Sequence, residues 1–359
     1  MNKRLFLAFV GLTCLLSLTA PAQKHLKVIV LYDMEGVSGV TKVEGTDFDA
    51  KADYEAARQS LTADVNAAIA GLKVAGATEI IVVDGHGSGN NEGPDVLENQ
   101  LLPPAKMISR DRPFDIYMDS YDQSVDAVVA VAMHAGAGNT EGHLSHTYTY
   151  VDTQYKVNGI PFNETMILAM GAARYGIPLI MVSGDDQLEK EIRRYLPWAK
   201  YAAGKHAVDR SKAEPFPRDE VNRRIETAAR EALLALDKAQ LAQITTGPFR
   251  FAVTFMDEEQ ARNVSWLQGA ELTADAATVQ IRADDFEAGY RTSLRLLSAG
   301  GLVSFVQALQ RVMNAQPNAP ALQQGVSAYI TDRWLNRLPA PPKTGAAAGA
   351  PARRYWGAR

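Results

Sequence analysis

The sequence predicts an α/β fold: a mostly parallel sheet flanked by helices, followed by a smaller α+β part. Three observations carry this. Short apolar, β-branched runs recur at residues 26–32, 79–83, 126–133 and 178–182, and they are continuous rather than alternating, as strands buried on both faces are. Segments with apolar residues at helical spacing lie between them. The regular interleaving ends near Lys205, after which alternating segments and polar helices take over.

Taken in order, residues 26–32 (LKVIVLY) form the first strand. A long helix over 49–75 follows, with Ala56, Leu61, Val65, Ala68 and Leu72 recurring at helical spacing and Gly76 placed to end it. Residues 79–83 (EIIVV) form a second strand, and a Gly/Asn-rich loop runs from 85 to 93. Strands at 126–133 and 178–182 come next, with helices at about 162–174 and 187–196 flanking the latter. Beyond 205, a polar helix at about 219–236, strands at 249–255 and 278–281, and helices at 286–297, 301–313 and 323–338 are expected. The expected division is a catalytic α/β domain over 23–205 and an α+β part over 206–338, either packed on the first or forming a separate small domain. Residues 339–359, rich in Pro, Ala and Gly, read as a disordered tail.

Composition narrows the class. Of 359 residues, 47% are hydrophobic and 22% charged, an ordinary globular balance. The net charge is −4 with no basic run outside the termini, so nothing points to nucleic acid. At the N-terminus, Lys3 and Arg4 precede an uncharged apolar stretch, Leu5 to Leu18, and then Ala20-Pro21-Ala22. That is the layout of a signal peptide over 1–22. A single membrane anchor is the alternative reading, but the run is short of the about 20 residues that a span needs. Thr13 before Cys14 argues against lipidation. Cleavage after Ala22 would remove Lys3, Arg4 and the one cysteine, taking the charge from −4 to −6. The expected product is a periplasmic or secreted protein with no stable membrane span and no thiolate, so any metal must be held by His, Asp and Glu.

The chemistry gathers at strand ends. Asp33-Met34-Glu35-Gly36 follows the first strand, Asp84-Gly85-His86-Gly87 the second, and His134-Ala135-Gly136-Ala137-Gly138 the third. An acidic DxE turn alone is more often a solvated loop, and one histidine between glycines is an even choice. Three consecutive strands ending in metal-type ligands at the sheet edge where α/β sites form point to one site. Gly36 permits a close backbone approach. Glu164 lies in the first turn of the helix after Pro161, where a glutamate complementing the helix dipole is the simpler reading. His143 and His146 lie near His134 in GHLSH, and spacing does not choose between them as ligand or proton carrier. Adjacent Ser145 and His146 have poor geometry for a nucleophile pair. His and carboxylate without thiolate suit zinc, and also manganese or cobalt. Five ligands exceed what one catalytic zinc uses, so two metals with a bridging carboxylate fit better.

These residues sit in a larger pattern. YDMEGVSG (32–39), VDGHG (83–87), MHAGAG (133–138), LSHTYT (144–149), NGIPFNE (158–164), VSGDD (182–186) and ATVQIRADDFEAGYR (277–291) occur in that order. By them the chain resembles the zinc D-aminopeptidases of the DppA type, self-compartmentalising metallopeptidases. The resemblance implies zinc ligands at Asp33, Glu35, His86, His134 and Glu164, with Asp33 bridging two ions. It gives His146, rather than His143, the catalytic role, and it implies a ring-shaped homo-decamer.

The expected function is therefore an exported dinuclear zinc aminopeptidase removing N-terminal residues, D-alanine among them, from short peptides such as peptidoglycan fragments. Metal-activated water would attack the amide and His146 would transfer protons. Asp185 and Asp186 are candidates for binding the substrate amino group. The rival readings are hydrolysis of another amide or a phosphoester, and a non-catalytic periplasmic zinc- or peptide-binding protein.

Overall fold

The computed structural model describes residues 25–86, 93–108, 115–335 and 337–338. The expected signal peptide (1–22), the centre of the Gly/Asn-rich loop and the expected C-terminal tail (339–359) lie outside the described residues.

The chain forms β1 (Lys27–Tyr32), α1 (Lys51–Val74), β2 (Glu79–Asp84), β3 (Ala105–Met107), β4 (Ala127–Met133), β5 (Asp152–Val157) and β6 (Ile160–Pro161). Then come α2 (Glu164–Ala173), β7 (Leu179–Asp185), α3 (Asp186–Arg193), β8 (Lys200–Asp209), β9 (Lys212–Pro215) and α4 (Arg218–Leu234). The remainder is β10 (Phe249–Phe255), α5 (Glu258–Val264), β11 (Ala270–Leu272), β12 (Thr278–Ala283), α6 (Phe286–Asn314) and α7 (Ala319–Trp334).

A seven-stranded sheet has the order β3-β2-β1-β4-β7-β8-β9, and a five-stranded sheet the order β11-β12-β10-β5-β6. The first is parallel except for β9, the second antiparallel. The fold is thus the expected α/β class with a mostly parallel sheet. Its central strands β1, β2, β4 and β7 are largely apolar because both faces are covered. On β1, Val28, Val30 and Tyr32 face a core shared with α1 and α4, while Ile29 and Leu31 face a core shared with α2. That second core also takes Phe251 and Val253 of β10, Val279 of β12 and Phe286 and Tyr290 of α6. The α+β part therefore packs on the first rather than standing apart. The division expected at 205 runs through β8, and the antiparallel sheet draws β5 and β6 from before that point.

Two helix expectations change. Residues 286–297 and 301–313 form one continuous α6. Gly300 does not end the helix; a Cβ there would lie 2.4 Å from Cε1 of Phe255, so the glycine lets helix and sheet approach. The last helix begins at Ala319 rather than 323, because Pro320 suits the first turn, where its missing N–H costs nothing.

After β1 the chain runs to β2 on one side and later crosses to β4 on the other. The β1/β4 boundary is thus a topological switch point, where a crevice opens at the carboxyl edge. Tyr32, the last residue of β1, pairs with Asp84, the last of β2, and with Val131, two residues before the end of β4.

Candidate metal centre

The residues after these three ends converge. Asp33 keeps one ladder bond, its N–H donating to Val131 O at 2.9 Å, and then the chain turns, with Val37 N–H donating to Met34 O at 3.1 Å. Asp33 and Glu35 are brought together by this turn. The turn lies against β4: Gly36 N–H donates to Ala132 O at 2.9 Å, and a Cβ on Gly36 would sit 2.0 Å from Met133 O. Ala132 takes φ 61 beside an irregularity in the β4–β7 pairing, a left-handed conformation that a non-glycine residue holds only when its surroundings impose it. Ser183 Oγ accepts its N–H at 2.9 Å. This kink turns His134 into the crevice.

Two overlapping groups of donor atoms result, Asp33, Glu35 and His134, and His134, His146 and Glu164, each within 4.8 Å. His134 Nε2 is 3.2 Å from Asp33 Oδ2 and 3.6 Å from Glu164 Oε1. His146 Nε2 is 3.9 Å from Glu164 Oε1, and its ring stacks on His134 at 4.1 Å. His86 joins through Glu35, its Nε2 3.6 Å from Oε1. All five sequence-derived ligand candidates and His146 thus meet at one place. His143 does not join either group among the described residues. Its ring is buried, its backbone N–H donates to Asp185 Oδ2 at 3.1 Å, and burial and the Lys205 charge push its pKa down to about 4.

The three histidines share one orientation. Nδ1 of His86 faces Asp95 Oδ2 at 3.0 Å, Nδ1 of His134 faces Ala135 O at 2.9 Å, and Nδ1 of His146 faces Leu144 O at 2.8 Å. These partners are all acceptors, so Nδ1 carries the proton and a neutral ring turns the lone pair of Nε2 toward the carboxylates. Buried acceptors then face one another. Asp33 Oδ2, Glu35 Oε2 and His134 Nε2 are buried and have no hydrogen-bond partner, an arrangement that is costly unless a cation satisfies it.

Without a cation, the clustered groups shift one another's protonation. Burial and the neighbouring Glu35 push the Asp33 carboxyl up to about 7. Burial opposes the charged form of Glu35 too, but His86, His146 and His134 together outweigh it and hold it below the usual carboxylate range. His86 and His134 go well above an ordinary imidazole; burial opposes this, but Glu35 and Asp95 outweigh it at His86, and Asp33 and Glu164 at His134. His146 is pushed down by burial and by His134.

Several supporting residues carry no local sequence signal. Glu164 accepts from Tyr148 N–H at 2.6 Å and from the Tyr117 hydroxyl. It therefore does more than complement the dipole of α2. Tyr150 donates to Glu35 Oε1 at 3.3 Å and packs on His146 at 4.7 Å. The buried Lys205 ammonium donates to Glu35 O and, at 2.7 Å, to Val40 O, bracing the turn from below. Glu191 accepts from Gly136 N–H at 3.0 Å and from the Asn139 and Asn163 amides at 2.7 Å each, tying the His134 loop to the start of α2. Asp185 and Asp186 are engaged elsewhere. Asp185 caps α3, and Asp186 pairs with His206 at 2.6 Å and accepts from Ala207 N–H.

Comparison with known proteins places this geometry. The D-aminopeptidase of Bacillus subtilis (strain 168) is 28% identical over 281 residues, 78% of this chain and all of that protein. The solved structure of the Zn-dependent D-aminopeptidase DppA from Bacillus subtilis, described as a self-compartmentalizing protease, superposes with a TM-score of 0.69 at 26% identity. It covers 77% of this chain and 98% of its own. The sequence model of the D-aminopeptidase family matches residues 26–294, a span that includes every residue of the cluster and both sheets. The chain belongs to the D-aminopeptidase family.

Proposed function

We propose that the chain is an exported dinuclear zinc aminopeptidase that removes N-terminal residues, D-alanine in particular, from short peptides. The observation that carries this reading is the set of buried donor atoms without partners, Asp33 Oδ2, Glu35 Oε2 and His134 Nε2, at the switch point of the sheet. Nitrogen and carboxylate donors without thiolate suit zinc. The two donor groups overlap at His134 and His86 reaches Glu35, a set that would suit a pair of ions held by Asp33, Glu35, His86, His134 and Glu164; Asp33 as the shared ligand is carried over from the family resemblance. When bound, zinc supplies Lewis acidity toward a carbonyl oxygen and lowers the pKa of water.

The remaining roles belong to side chains. Glu164 is held in place by Tyr117 and Tyr148. His146 is kept neutral by burial and by His134, and Leu144 O fixes its tautomer, so Nε2 can take up a proton and deliver it to the leaving amine. Tyr150, with its ring largely exposed beside His146, walls the approach to the cluster.

Export rests on the signal-like N-terminus, and it suits D-alanyl peptidoglycan fragments as substrates. A closed homo-oligomer, a decamer by family resemblance, is carried over from the self-compartmentalizing relative.

The test is turnover of matched D-alanyl and L-alanyl amides by the purified chain, before and after chelation and zinc return. D-selective cleavage that zinc restores supports the reading. Bound zinc with no cleavage of either hand removes it and leaves a zinc-binding protein.

A further inference from the structure

We propose that the second half of α6 together with α7 is a docking surface for the same surface of a second copy of this chain. The family match ends at residue 294, so this stretch lies beyond the part shared with the D-aminopeptidases. The inference does not rest on the proposed zinc chemistry.

The first half of α6 belongs to the core, with Phe286, Gly289, Tyr290, Ser293, Leu296, Leu297 and Gly300 buried. After Gly300 no residue of α6 is buried, and α7 has no buried residue at all. Yet both helices carry apolar seams. On α6, Leu302, Phe305 and Leu309 lie on one face; on α7, Val326, Ile330 and Trp334 do, by the spacing of three and four that stacks side chains on a helix. Exposure runs to 65% for Leu302, 64% for Phe305, 62% for Ile330 and 78% for Trp334. With aromatic side chains presenting roughly 150–250 Å² each, the large apolar residues of this stretch leave on the order of 1,000 Å² bare. That exceeds the few hundred Å² typical of an uncovered monomer surface. It matches the roughly 800 Å² that each partner contributes to a stable interface.

The cover is protein rather than lipid. Helix α6 is long and apolar enough to cross a membrane, but its first half is locked into the core. Helices that lie on membranes carry a strongly charged polar face rich in Lys and Arg. Here residues 301–335 hold only Arg311, Asp332 and Arg333, and the polar positions are mostly Gln, Asn and Ser. The cover is also always at hand. A helix of 16 residues with nothing buried is marginal in water, so its partner must be present wherever the chain is made and at the same concentration. A copy of the chain meets that condition. Two such helix pairs can close as a four-helix bundle about a two-fold axis, each seam covering its equivalent.

The experiment uses the full chain with Cys14→Ser. Ile330→Cys is introduced, the protein is oxidised at about 1 µM, and cross-linked pairs are read on a non-reducing gel. Pairs are expected to form at Ile330→Cys and not at Val74→Cys, a site 68% exposed on α1. Adding Phe305→Glu, or separately Trp334→Glu, is expected to suppress the pairs at least tenfold while helical content is unchanged. Absence of pairs at Ile330→Cys overturns the proposal, as does cross-linking that persists undiminished in both charged variants. Wild-type protein that sediments with anionic vesicles, while Ile330→Cys gives no pairs, overturns it in favour of a membrane surface. D-alanyl amide hydrolysis, followed in parallel, reports on the proposed activity alone.

Discussion

The carboxyl edge of β1, β2 and β4 and the outer end of α6 and α7 break opposite rules. At the sheet edge, carboxylates and imidazoles are buried without enough hydrogen-bond partners. At the helical end, large apolar side chains stand in water. A folded chain tolerates each only when something is added: cations in the first place, a second apolar surface in the second. The surroundings differ accordingly. The metal edge is braced by Lys205, Glu191, Asp95 and Tyr117, each from a distant stretch of chain. At the helical end no described residue of α6 after Gly300 and none of α7 is buried.

The comparison breaks most readily at Asp33. Asp33→Asn is expected to lose zinc, read by metal analysis, and to lower turnover by more than the roughly 10–100-fold that changes around metal ligands produce. Full zinc and full rate would show that the buried carboxylates are not a metal site. His146→Ala is expected to keep its zinc and lose about 10²–10⁴ in kcat. Loss of zinc in that variant would instead make His146 a ligand, which its 3.9 Å approach to Glu164 also permits. Asp95→Asn, which weakens the partner of His86 Nδ1, is expected to reduce zinc affinity by about 10–100-fold in chelator competition. An unchanged affinity would detach His86 from the site.

Acidity sharpens the contrast. In the metal-free protein the Asp33 pKa, about 7, lies above its unfolded value of about 3.9, so the folded state holds the extra proton between them. Its contribution to stability is complete below about pH 4 and is lost as pH rises through 7. The raised His86 and His134 act in the same direction at higher pH. Zinc requires the deprotonated ligands, so its stabilisation runs the other way. The Tm difference between zinc-loaded and chelated protein is therefore expected to widen from pH 5.5 to pH 8. A difference constant with pH would place zinc outside this cluster. The smallest effect belongs to Tyr150→Phe. Removing one 3.3 Å hydrogen bond to Glu35 is expected to change turnover by about 2–10-fold, as the net worth of a single bond suggests.

Much of the sheet was readable because buried parallel strands need continuous β-branched runs, and β1, β2, β4 and β7 have them. The antiparallel sheet was harder. β5 (DTQYKV) has polar residues on its outer face, and only its pairing with β10 identifies it. At the site, Asp33, Glu35, His86 and His134 stood out by their place at strand ends. Glu164 entered only through the family resemblance, since a glutamate in a first helical turn has a sufficient local explanation. Asp95, Tyr117, Glu191 and Lys205 carried no signal, because nothing near them in sequence differs from an ordinary loop, helix or strand.

The sequence by itself determined which donor atoms exist and that Asp33, Glu35, His86 and His134 follow the ends of consecutive strands. These follow from side-chain chemistry and short-range periodicity. Tertiary structure alone decided that Asp33 and Glu35 meet through a turn pressed on β4, that Asp95, Tyr117, Glu191 and Lys205 reach the cluster, and that α6 continues past its glycines into open solvent. Each of those depends on contacts between segments far apart in the chain, where packing sets burial and burial sets charge.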